Sequence, residues 1–527
     1  MSENDAPNRV HGVTIVAVTA APTVLRRQAP PRAVAPAAAA PVVRAPRGLP
    51  DPQVCEQARL SRDPRFDGLF FTGVLSTHIY CRPVCPARWA SRVVYFTTAA
   101  AAEAAGYRPC LRCRPELSPS DGAWRRSDEV VARALKLLDQ GSLDDEPLTV
   151  LAARVGIGER QLRRLFVERL GAPPIAVRRT RRLLFAKQLL TETRLPITQV
   201  ALAAGFGSLR RFNAAFREAY RMPPSALRRH PGAACEDVLT LRLAYRPPFD
   251  FDATLDFLRE RVLPGVELVD DVSYARVIPA ADGDRPCAPA WLRVSAWPNA
   301  EHALKLELHG APPTRVLAIT DQLRRMFDLD ADPQGIEDAL SSCEVMRPLV
   351  RRQPGLRIPG GWDGFEIAVR AILVARLRGA PAYDLARLFM HEFGVPLANP
   401  VAPGLDRVFP APEMLVGADF SVIGLPPARA RVIRAVARAL VEGRADFNPE
   451  RTLEDFVGRW TRVPGIGRRT AHYLALRALG HPDAFPAGGV HLRAATANDG
   501  IAERGAADSW RPWRAYAAIH LWRHTGT

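Results

Sequence analysis

The motifs YCRPVC at residues 80–85 and RPCLRC at residues 108–113 decide the fold of the first quarter of this chain. Three residues separate the cysteines of the first pair, two separate those of the second, and twenty-four lie between the pairs. This spacing lets four thiolates converge tetrahedrally on one Zn²⁺ ion. The sequence therefore predicts one zinc site with the ligands Cys81, Cys85, Cys110 and Cys113.

Arginines surround these thiols. They are Arg82, Arg88, Arg108, Arg112 and Arg114. Positive charge beside a thiol lowers its pKa, and the same charge attracts a polyanion. The pattern predicts a zinc site next to nucleic acid, although a purely structural zinc site needs the same four cysteines.

The net charge also favours a nucleic-acid partner. The chain has 527 residues and a formal charge of +17, which predicts several domains and at least one that faces nucleic acid. Residues 147–230 hold 17 arginines and lysines against 4 acidic residues, so most of the excess charge lies in this segment. We expect this segment to contact phosphates.

The remaining cysteines and the N-terminal segment indicate the cellular compartment of the protein. Cys55, Cys235, Cys287 and Cys343 stand singly, which is a poor disulfide framework and is typical of a reducing cytoplasm. Residues 1–48 are rich in alanine and proline and lack the pattern of a signal peptide, so they predict a disordered tail. No run of apolar residues is long enough to span a bilayer. We expect a cytoplasmic protein.

Residues 51–118 place the cysteines in a small domain. The runs LFFTGV and VVYFT are typical of strands, and AAAAEAAGY favours a helix that leads into the second cysteine pair. From DPRFDG, through TGVLSTHIYCRPVCPARWASRVVYF, to AAGYRPCLRCRPE, the segment resembles the N-terminal domain of the Ada DNA-repair proteins. The four cysteines and the interleaved Arg-Pro pairs carry this resemblance.

The resemblance implies a chemical role for one thiolate. It implies that Cys81, the first cysteine of the CRPxC motif, irreversibly accepts a methyl group from a methylated DNA phosphate while the other three cysteines hold the metal. Zn²⁺ keeps a thiolate deprotonated yet nucleophilic at neutral pH. Four thiolates on Zn²⁺ carry a charge of about −2, and methylation leaves about −1, so repulsion from DNA falls. Repair would then act as a switch toward tighter DNA binding.

An imperfect repeat fills residues 126–230. LTVLAARVGIGERQLRRLF begins at Leu148 and ITQVALAAGFGSLRRFNAAF at Ile197, and each predicts a helix, a glycine turn and a second helix. With VRRTRRLLFAKQLL and MPPSALRR, the segment resembles the AraC-type DNA-binding domain. A solvated basic face on a helical bundle is the alternative. The expected DNA contacts on the second helices are Arg160, Gln161, Arg163, Arg164, Ser208, Arg210, Arg211 and Asn213.

The C-terminal half changes character. The runs LTLRLAYRPPFDF, VELVDDVSYARVI, WLRVSAW and ALKLELHG predict strands of a small α+β domain at residues 236–312. A helical region follows, where RVPGIGRRT predicts a tight turn whose glycines, Gly465 and Gly467, leave backbone N–H groups free for a DNA phosphate. With PDAFP and WRPWRAYAAIHLW, residues 236–524 resemble the helix-hairpin-helix DNA glycosylases of the AlkA-like 3-methyladenine class.

That second resemblance implies excision of a flipped, alkylated base with help from an Asp carboxylate. In the family this Asp lies six residues after the Asp of the PDAF-type motif, and the same count from Asp483 reaches Gly489. Candidate substitutes are Asp483, Asp499 and Glu366, although they are also explained as a cap, a turn residue and a surface residue. No lysine follows Lys305, which excludes a Schiff-base route in the helical region.

Further residues near the expected cleft also depart from the family. Arg469 stands where the family usually has Trp, and ILVARL from Ile372 replaces an ILGQQ-type run. These changes favour lost or altered glycosylase chemistry. The sequence predicts core packing more than base stacking for the aromatic residues Trp510, Trp513, Tyr516 and Trp522.

Together these patterns predict a multidomain protein: a small zinc-bound α/β module, an all-α tandem helix-turn-helix, a small α+β domain, and an all-α helix-hairpin-helix glycosylase-like domain at residues 313–527. The predicted function is a DNA alkylation response in which methyl transfer to a zinc-bound cysteine regulates transcription. Expected partners are alkylated DNA, a promoter operator and RNA polymerase. The alternatives are an active 3-methyladenine glycosylase that uses another carboxylate, and a regulatory zinc protein without methyl transfer.

Overall fold

The computed structural model describes residues 49–87, 90–119, 129–139, 147–228, 238–279, 290–300, 302–375, 377–448, 452–487 and 505–524. The predicted tail at residues 1–48 lies outside the described residues, as do Arg88, Gly489 and Asp499. In the described ranges no helix is long and apolar enough to cross a membrane.

A four-stranded sheet forms the first module. Its elements are α1 (Pro52–Ser61), β1 (Phe71–Val74), β2 (Ile79–Cys81), β3 (Val93–Phe96), α2 (Ala99–Ala104) and β4 (Arg108–Pro109). The strand order is β3-β1-β2-β4, and only the β2–β4 pair is parallel. Helix α2 begins where Thr98 Oγ1 accepts a hydrogen bond from Ala101 N at 3.0 Å, an N-cap that satisfies one free donor of the first turn. The predicted strands and helix are present.

In the described residues from 129 to 228, a series of helices follows. They are α3 (Glu129–Asp139), α4 (Leu148–Arg154), α5 (Glu159–Leu170), α6 (Pro174–Glu192), α7 (Ile197–Ala203), α8 (Leu209–Tyr220) and α9 (Pro224–Leu227). The α4–α5 and α7–α8 pairs form two helix-turn-helix units, as the repeat predicts. Gly156 and Gly205 occupy the turns with φ of 79° and 76°, a left-handed conformation that favours glycine. Helices α5 and α8 bury residues at helical spacing: Leu162, Phe166 and Leu170, and Phe212, Phe216 and Tyr220.

The next region is an antiparallel five-stranded sheet with one helix. Its elements are β5 (Val238–Ala244), α10 (Phe251–Arg259), β6 (Glu267–Val269), β7 (Ser273–Ile278), β8 (Ala290–Ala296) and β9 (Ala303–His309). The order is β5-β9-β8-β7-β6. The predicted first strand runs too far, because Asp250 Oδ1 accepts a hydrogen bond from Ala253 N at 2.8 Å and starts α10 in the FDF segment.

The remaining elements are mainly helical. They are α11 (Val316–Met326), α12 (Pro333–Ser341), α13 (Met346–Arg352), α14 (Gly364–Leu373), α15 (Gly379–Phe393), β10 (Val395–Pro396), β11 (Arg407–Val408), α16 (Pro412–Leu415), α17 (Pro427–Val441), α18 (Leu453–Trp460), α19 (Arg468–Leu479), α20 (Gly505–Asp508) and α21 (Arg514–His524). Helices α18 and α19 form the hairpin that the PGIG turn predicts.

The apolar cores do not follow the modules one by one. The first helix-turn-helix unit has a core of its own, and the helical region has another. The second unit instead shares one continuous core with the sheet, in which Phe212 and Phe216 of α8 join Leu241 and Leu306 of the sheet and Leu323 of α11. The second unit and the sheet therefore pack as one body.

Candidate zinc centre and DNA-binding surfaces

The parallel pairing of β2 with β4 brings the two cysteine motifs together. Ile79 pairs with Arg108 and Tyr80 with Pro109, so Cys81 and Cys110 leave the same end of the sheet. The backbone continues this pairing, since Cys110 N donates to Tyr80 O at 3.0 Å. All four predicted cysteine sulfurs lie within 4.8 Å of one another.

The sulfur cluster fits a zinc ion. Tetrahedral Zn–S bonds of about 2.3 Å need sulfurs about 3.8 Å apart, which is compatible with the observed spread. The chemical softness of the four thiolate ligands also favours zinc, because thiolates prefer Zn²⁺ to hard cations. Three cysteines are buried, namely Cys85, Cys110 and Cys113, whereas Cys81 is partly exposed.

Backbone hydrogen bonds distinguish Cys81 from the other ligands. Arg82 N donates to Cys113 Sγ at 3.4 Å, and Arg112 N donates to Cys110 Sγ at 3.4 Å. A backbone N–H of Ala87 also hydrogen-bonds Cys85. Among the described residues, backbone N–H groups thus hydrogen-bond Cys85, Cys110 and Cys113, and none is seen at Cys81 Sγ.

Arg82 does not serve the surface as predicted. Its guanidinium pairs with Asp67, and Nη1 donates to Cys113 O at 3.0 Å, with only 14% of the side chain exposed. Arg82 thus braces the zinc loop, and its contact with DNA stays a prediction. Arg112 is exposed and Arg108 partly exposed, so both remain candidates for DNA contact.

The predicted readers on the recognition helices mostly face solvent. The exposed ones are Arg160, Gln161, Arg163, Arg164, Arg210 and Arg211. Ser208 differs, because its Oγ accepts a hydrogen bond from Arg211 N at 3.5 Å and caps α8. Asn213 is partly buried. Each of the two recognition helices thus exposes basic side chains to phosphates and bases.

The α18–α19 hairpin has the geometry of a phosphate-binding turn. Gly465 has φ of 89°, and a Cβ there would lie 2.3 Å from Val432 Cγ2, so only glycine fits without strain. Gly467 is the N-cap residue of α19 and is exposed with Arg468 and Arg469. Free N–H groups at a helix start, beside arginines, favour an anion.

The two described substitute carboxylates are already occupied. Asp483 accepts hydrogen bonds from Arg514 Nε at 2.6 Å and Arg511 Nη1 at 2.7 Å, so it is the centre of an ion-pair cluster and not a cap. Glu366 is 5% exposed and accepts from Arg276 Nη2 at 2.9 Å, which corrects its interpretation as a surface residue. Burial raises the pKa of Glu366 to about 7. Both carboxylates are therefore held in ion pairs with arginines in this structure.

Sequence reasoning missed an aromatic and arginine cluster. Tyr473 and Trp522 lie with ring centroids 6.3 Å apart, and Arg477 Nη1 donates to the Tyr473 hydroxyl at 3.1 Å. Burial acts to raise the pKa of Tyr473, but Arg477, Arg261 and Arg370 outweigh it and lower the pKa to about 8. The spacing of Tyr473 and Arg477 on one helix face was the only available signal.

The other predicted aromatic residues divide between core and surface. Trp510 and Tyr516 are 2% and 1% exposed and belong to the core, as expected. Trp513 and Trp522 are partly exposed at the edge of that core. Trp522 is therefore the described C-terminal tryptophan that joins the arginine cluster.

Known families match three parts of this chain. The metal binding domain of Ada matches residues 54–116, a helix-turn-helix domain matches residues 151–230, and the AlkA N-terminal domain matches residues 240–363. These matches confirm the zinc module, the helix-turn-helix prediction and the start of the glycosylase-like half.

Three known proteins are similar over longer stretches. A probable bifunctional transcriptional activator/DNA repair enzyme AlkA of Mycobacterium tuberculosis is 37% identical over 89% of this chain and 95% of that protein. The DNA-3-methyladenine glycosylase 2 of Escherichia coli is 32% identical over 54% of this chain and 97% of that protein. The bifunctional transcriptional activator/DNA repair enzyme Ada of Escherichia coli is 37% identical, over 28% of this chain and 41% of that protein.

A thiolate zinc centre, paired helix-turn-helix units and a glycosylase-like half define a zinc-containing DNA-binding regulator joined to a DNA repair enzyme. The chain belongs to the family of bifunctional transcriptional activator/DNA repair enzymes represented by the mycobacterial AlkA protein. The predicted fold class and the zinc cofactor are confirmed.

Proposed function

We propose that Cys81 accepts a methyl group from a DNA methylphosphotriester and that this transfer regulates DNA binding. The asymmetry of the sulfur cluster carries the proposal. Cys81 is partly exposed and receives no backbone N–H from the described residues, whereas Cys110 and Cys113 are buried and do. Hydrogen bonds to a thiolate lower its pKa and with it its nucleophilicity, so Cys81 is the sulfur best placed to attack.

The transfer balances without a further reactant. A lone pair of the Cys81 thiolate forms an S–C bond to the methyl carbon while the C–O bond to the phosphate breaks. The leaving group is the DNA phosphodiester, which takes the electron pair and the negative charge. Bound Zn²⁺ supplies the deprotonated sulfur at neutral pH. The product thioether is neutral, so the protein acts once.

Mass spectrometry tests this assignment. The full chain with zinc is incubated with a duplex that carries one methylphosphotriester, and peptides are mapped. We expect one methyl adduct on Cys81, no adduct in a Cys81→Ser variant, and a normal adduct in a Cys343→Ser control. An adduct on another cysteine, or none in the wild-type chain, would overturn the proposal and leave a purely structural zinc site.

We also propose that methylation tightens binding to an operator and thereby activates transcription through RNA polymerase. Loss of one negative charge from the cluster, with Arg112 exposed beside it, supports the sign of this change. Affinities of methylated and unmethylated protein, measured at several salt concentrations, should differ most at low salt. Equal affinities would contradict the switch.

For the glycosylase-like half, we propose DNA binding through the α18–α19 hairpin with weak or no base excision. The occupied Asp483 and Glu366 support this proposal, as does Gly489 at the expected Asp position in the sequence. The full chain incubated with methylated duplex should release no alkylated base above background. Abundant release that survives Asp483→Asn would support the alternative, an active glycosylase with another carboxylate.

The domain limits are part of the same proposal. We place the zinc module at residues 51–118, the tandem helix-turn-helix at 126–230, the α+β domain at 236–312 and the glycosylase-like domain at 313–527. Supporting the limit near residue 230, the composition changes there from an arginine-rich segment to mixed charge with alternating apolar residues.

A further inference from the structure

A buried lysine of the helix-turn-helix domain reaches the main chain of a zinc ligand. Lys187 lies in α6 and is 1% exposed. Its Nζ donates to Glu116 Oε2 at 2.5 Å and to the carbonyl oxygen of Cys110 at 3.4 Å. Glu116 follows the zinc loop by three residues and its side chain is fully buried. Lys187 thus contacts the zinc loop, residues 110–113, through the Cys110 carbonyl oxygen and lies against it on the side of α6.

A second polar contact fixes the other end of the loop. Arg114 follows Cys113 directly and donates to Thr191 Oγ1 at 2.9 Å and Glu192 Oε1 at 3.0 Å, at the end of α6. Glu192 also accepts a hydrogen bond from Arg242 N of β5 at 3.1 Å. A continuous set of contacts therefore runs from the zinc loop through α6 to the sheet.

The first of the two residues between the cysteines of the loop, Leu111, makes an apolar contact. Leu111 packs against the core cluster that contains Phe212, Phe216 and Tyr220 of α8. Strand β4, which delivers the loop, also lies against α8. Lys187 Nζ lies 5.8 Å from the ring centroid of Tyr220, within range of a cation–π interaction.

These contacts make the loop and α8 energetically dependent on each other. A buried charge that loses its partner costs several kcal/mol, so Lys187 and Glu116 resist separation. Cys110 and Cys113 would hold the metal on either side of Leu111, so a bound ion would restrain the backbone that carries Leu111. The first helix-turn-helix unit meets the module elsewhere, where Thr98 Oγ1 donates to Leu170 O at 2.8 Å.

We propose that Lys187 is a positioning residue that couples the zinc centre to recognition helix α8, so that α8 is fully ordered only while the zinc loop is closed. The inference rests on the proposed regulatory role of the zinc centre but does not require methyl transfer. Besides the change in charge on methylation, the zinc centre would then also act through packing and hydrogen bonds on one of the two recognition helices.

Hydrogen exchange followed by mass spectrometry tests the coupling on the full chain. Zinc is removed with a chelator and then titrated back as zinc chloride. In the wild-type chain, protection of β1–β3 and of α8 should rise at the same zinc concentration. In the double variant Lys187→Met/Glu116→Gln, which removes both buried charges together and also the ion pair of Glu116 with Arg114 Nε at 3.0 Å, β1–β3 should recover while α8 amides exchange about ten-fold faster, as expected when buried charge-assisted hydrogen bonds are lost.

Two further variants separate coupling from simple loss of structure. Lys187→Arg keeps a donor and a positive charge and should restore α8 protection at least in part. Leu111→Ala should also loosen α8, whereas Leu60→Ala, at a side chain that is 48% exposed on the same module, should not.

The outcomes decide the inference. The inference would be overturned if hydrogen-exchange protection of the α8 amides did not change with zinc in the wild-type chain. It would also be overturned if this protection were the same in the double variant as in the wild-type chain. The mass of the peptide that contains Cys81 is measured on the same wild-type sample after reaction with methylphosphotriester DNA. This measurement tests the methyl-transfer proposal separately.

Discussion

At the scale of single residues, Glu366 links burial to pH. Burial raises its pKa from 4.5 to about 7, against the attraction of Arg276. The native state therefore holds a proton that the unfolded state has lost, and this contribution to stability is present below pH 4.5 and is lost as the pH rises through 7. We expect Glu366→Gln to flatten this part of the pH–stability curve, measured by urea unfolding.

An exposed carboxylate provides the control for this prediction. Glu413 is exposed, so Glu413→Gln should leave the wild-type slope unchanged. A Glu366→Gln chain that loses stability with pH as steeply as wild type would show that another group is responsible.

Which residues the sequence could assign depended on whether their partners were close in the chain. The four cysteines were predictable because metal-ligand spacing is local. Arg82 and Glu366 were not, since Asp67 lies 15 residues before Arg82 and Arg276 lies 90 residues before Glu366. A charged residue in a basic sequence is predicted to lie at the surface as long as its buried partner is not known.

At the scale of elements, the α18–α19 turn depends on Gly465. A Gly465→Ala side chain would meet Val432 in a backbone region that L-residues avoid. We expect Gly465→Ala to lower the free energy of unfolding by about 1–3 kcal/mol and to weaken DNA binding. Thermal unfolding and fluorescence anisotropy with duplex DNA measure the two effects.

A second glycine of the same hairpin is the matched control. Gly458 lies inside α18, and a Cβ there meets no atom within 4 Å. Gly458→Ala should therefore be neutral or stabilise the chain by up to about 1 kcal/mol. A Gly465→Ala chain as stable as Gly458→Ala would refute the steric argument.

The recognition helices predict a salt-dependent effect. Arg211 is exposed on α8 and is expected to meet a phosphate. Arg211→Ala should weaken binding to mixed-sequence duplex and reduce the slope of log affinity against log salt by about 1. Arg387, exposed on α15, provides a control of equal charge, and Arg387→Ala should bind as wild type does. Equal slopes for all three chains would place Arg211 away from DNA.

Element patterns were the most predictable part of the fold. The two helix-turn-helix repeats and the sheet strands follow from helical and alternating apolar spacing. The first strand was predicted too long because it ends at Ala244 and Asp250 then caps α10, a local signal that an apolar run with two phenylalanines obscures.

At the scale of the whole molecule, Arg246 joins separate modules. It is fully buried, and its guanidinium donates to Asp67 O of the zinc module at 2.8 Å and to Asp330 O at 2.9 Å. Arg246→Met would leave these carbonyl oxygens without a donor. We expect the variant to unfold in two thermal transitions, with the zinc module first, where the wild-type chain unfolds in one.

An exposed contact between the same regions gives the comparison. Arg65 Nη1 donates to Gln334 Oε1 at 3.1 Å in an exposed setting, so Arg65→Ala should keep the wild-type calorimetric profile. A single transition in Arg246→Met would mean that the modules are held together by other contacts. Such docking was not predictable, because sequence periodicity describes each element and not which module it meets.

The common core of the second helix-turn-helix unit and the sheet has a consequence for where the gene can be divided. A gene split between residues 228 and 238 would yield two products that each expose part of one apolar cluster. Exposed apolar surfaces of this kind lead to aggregation. The shared core is completed within one molecule only when both segments lie on the same chain.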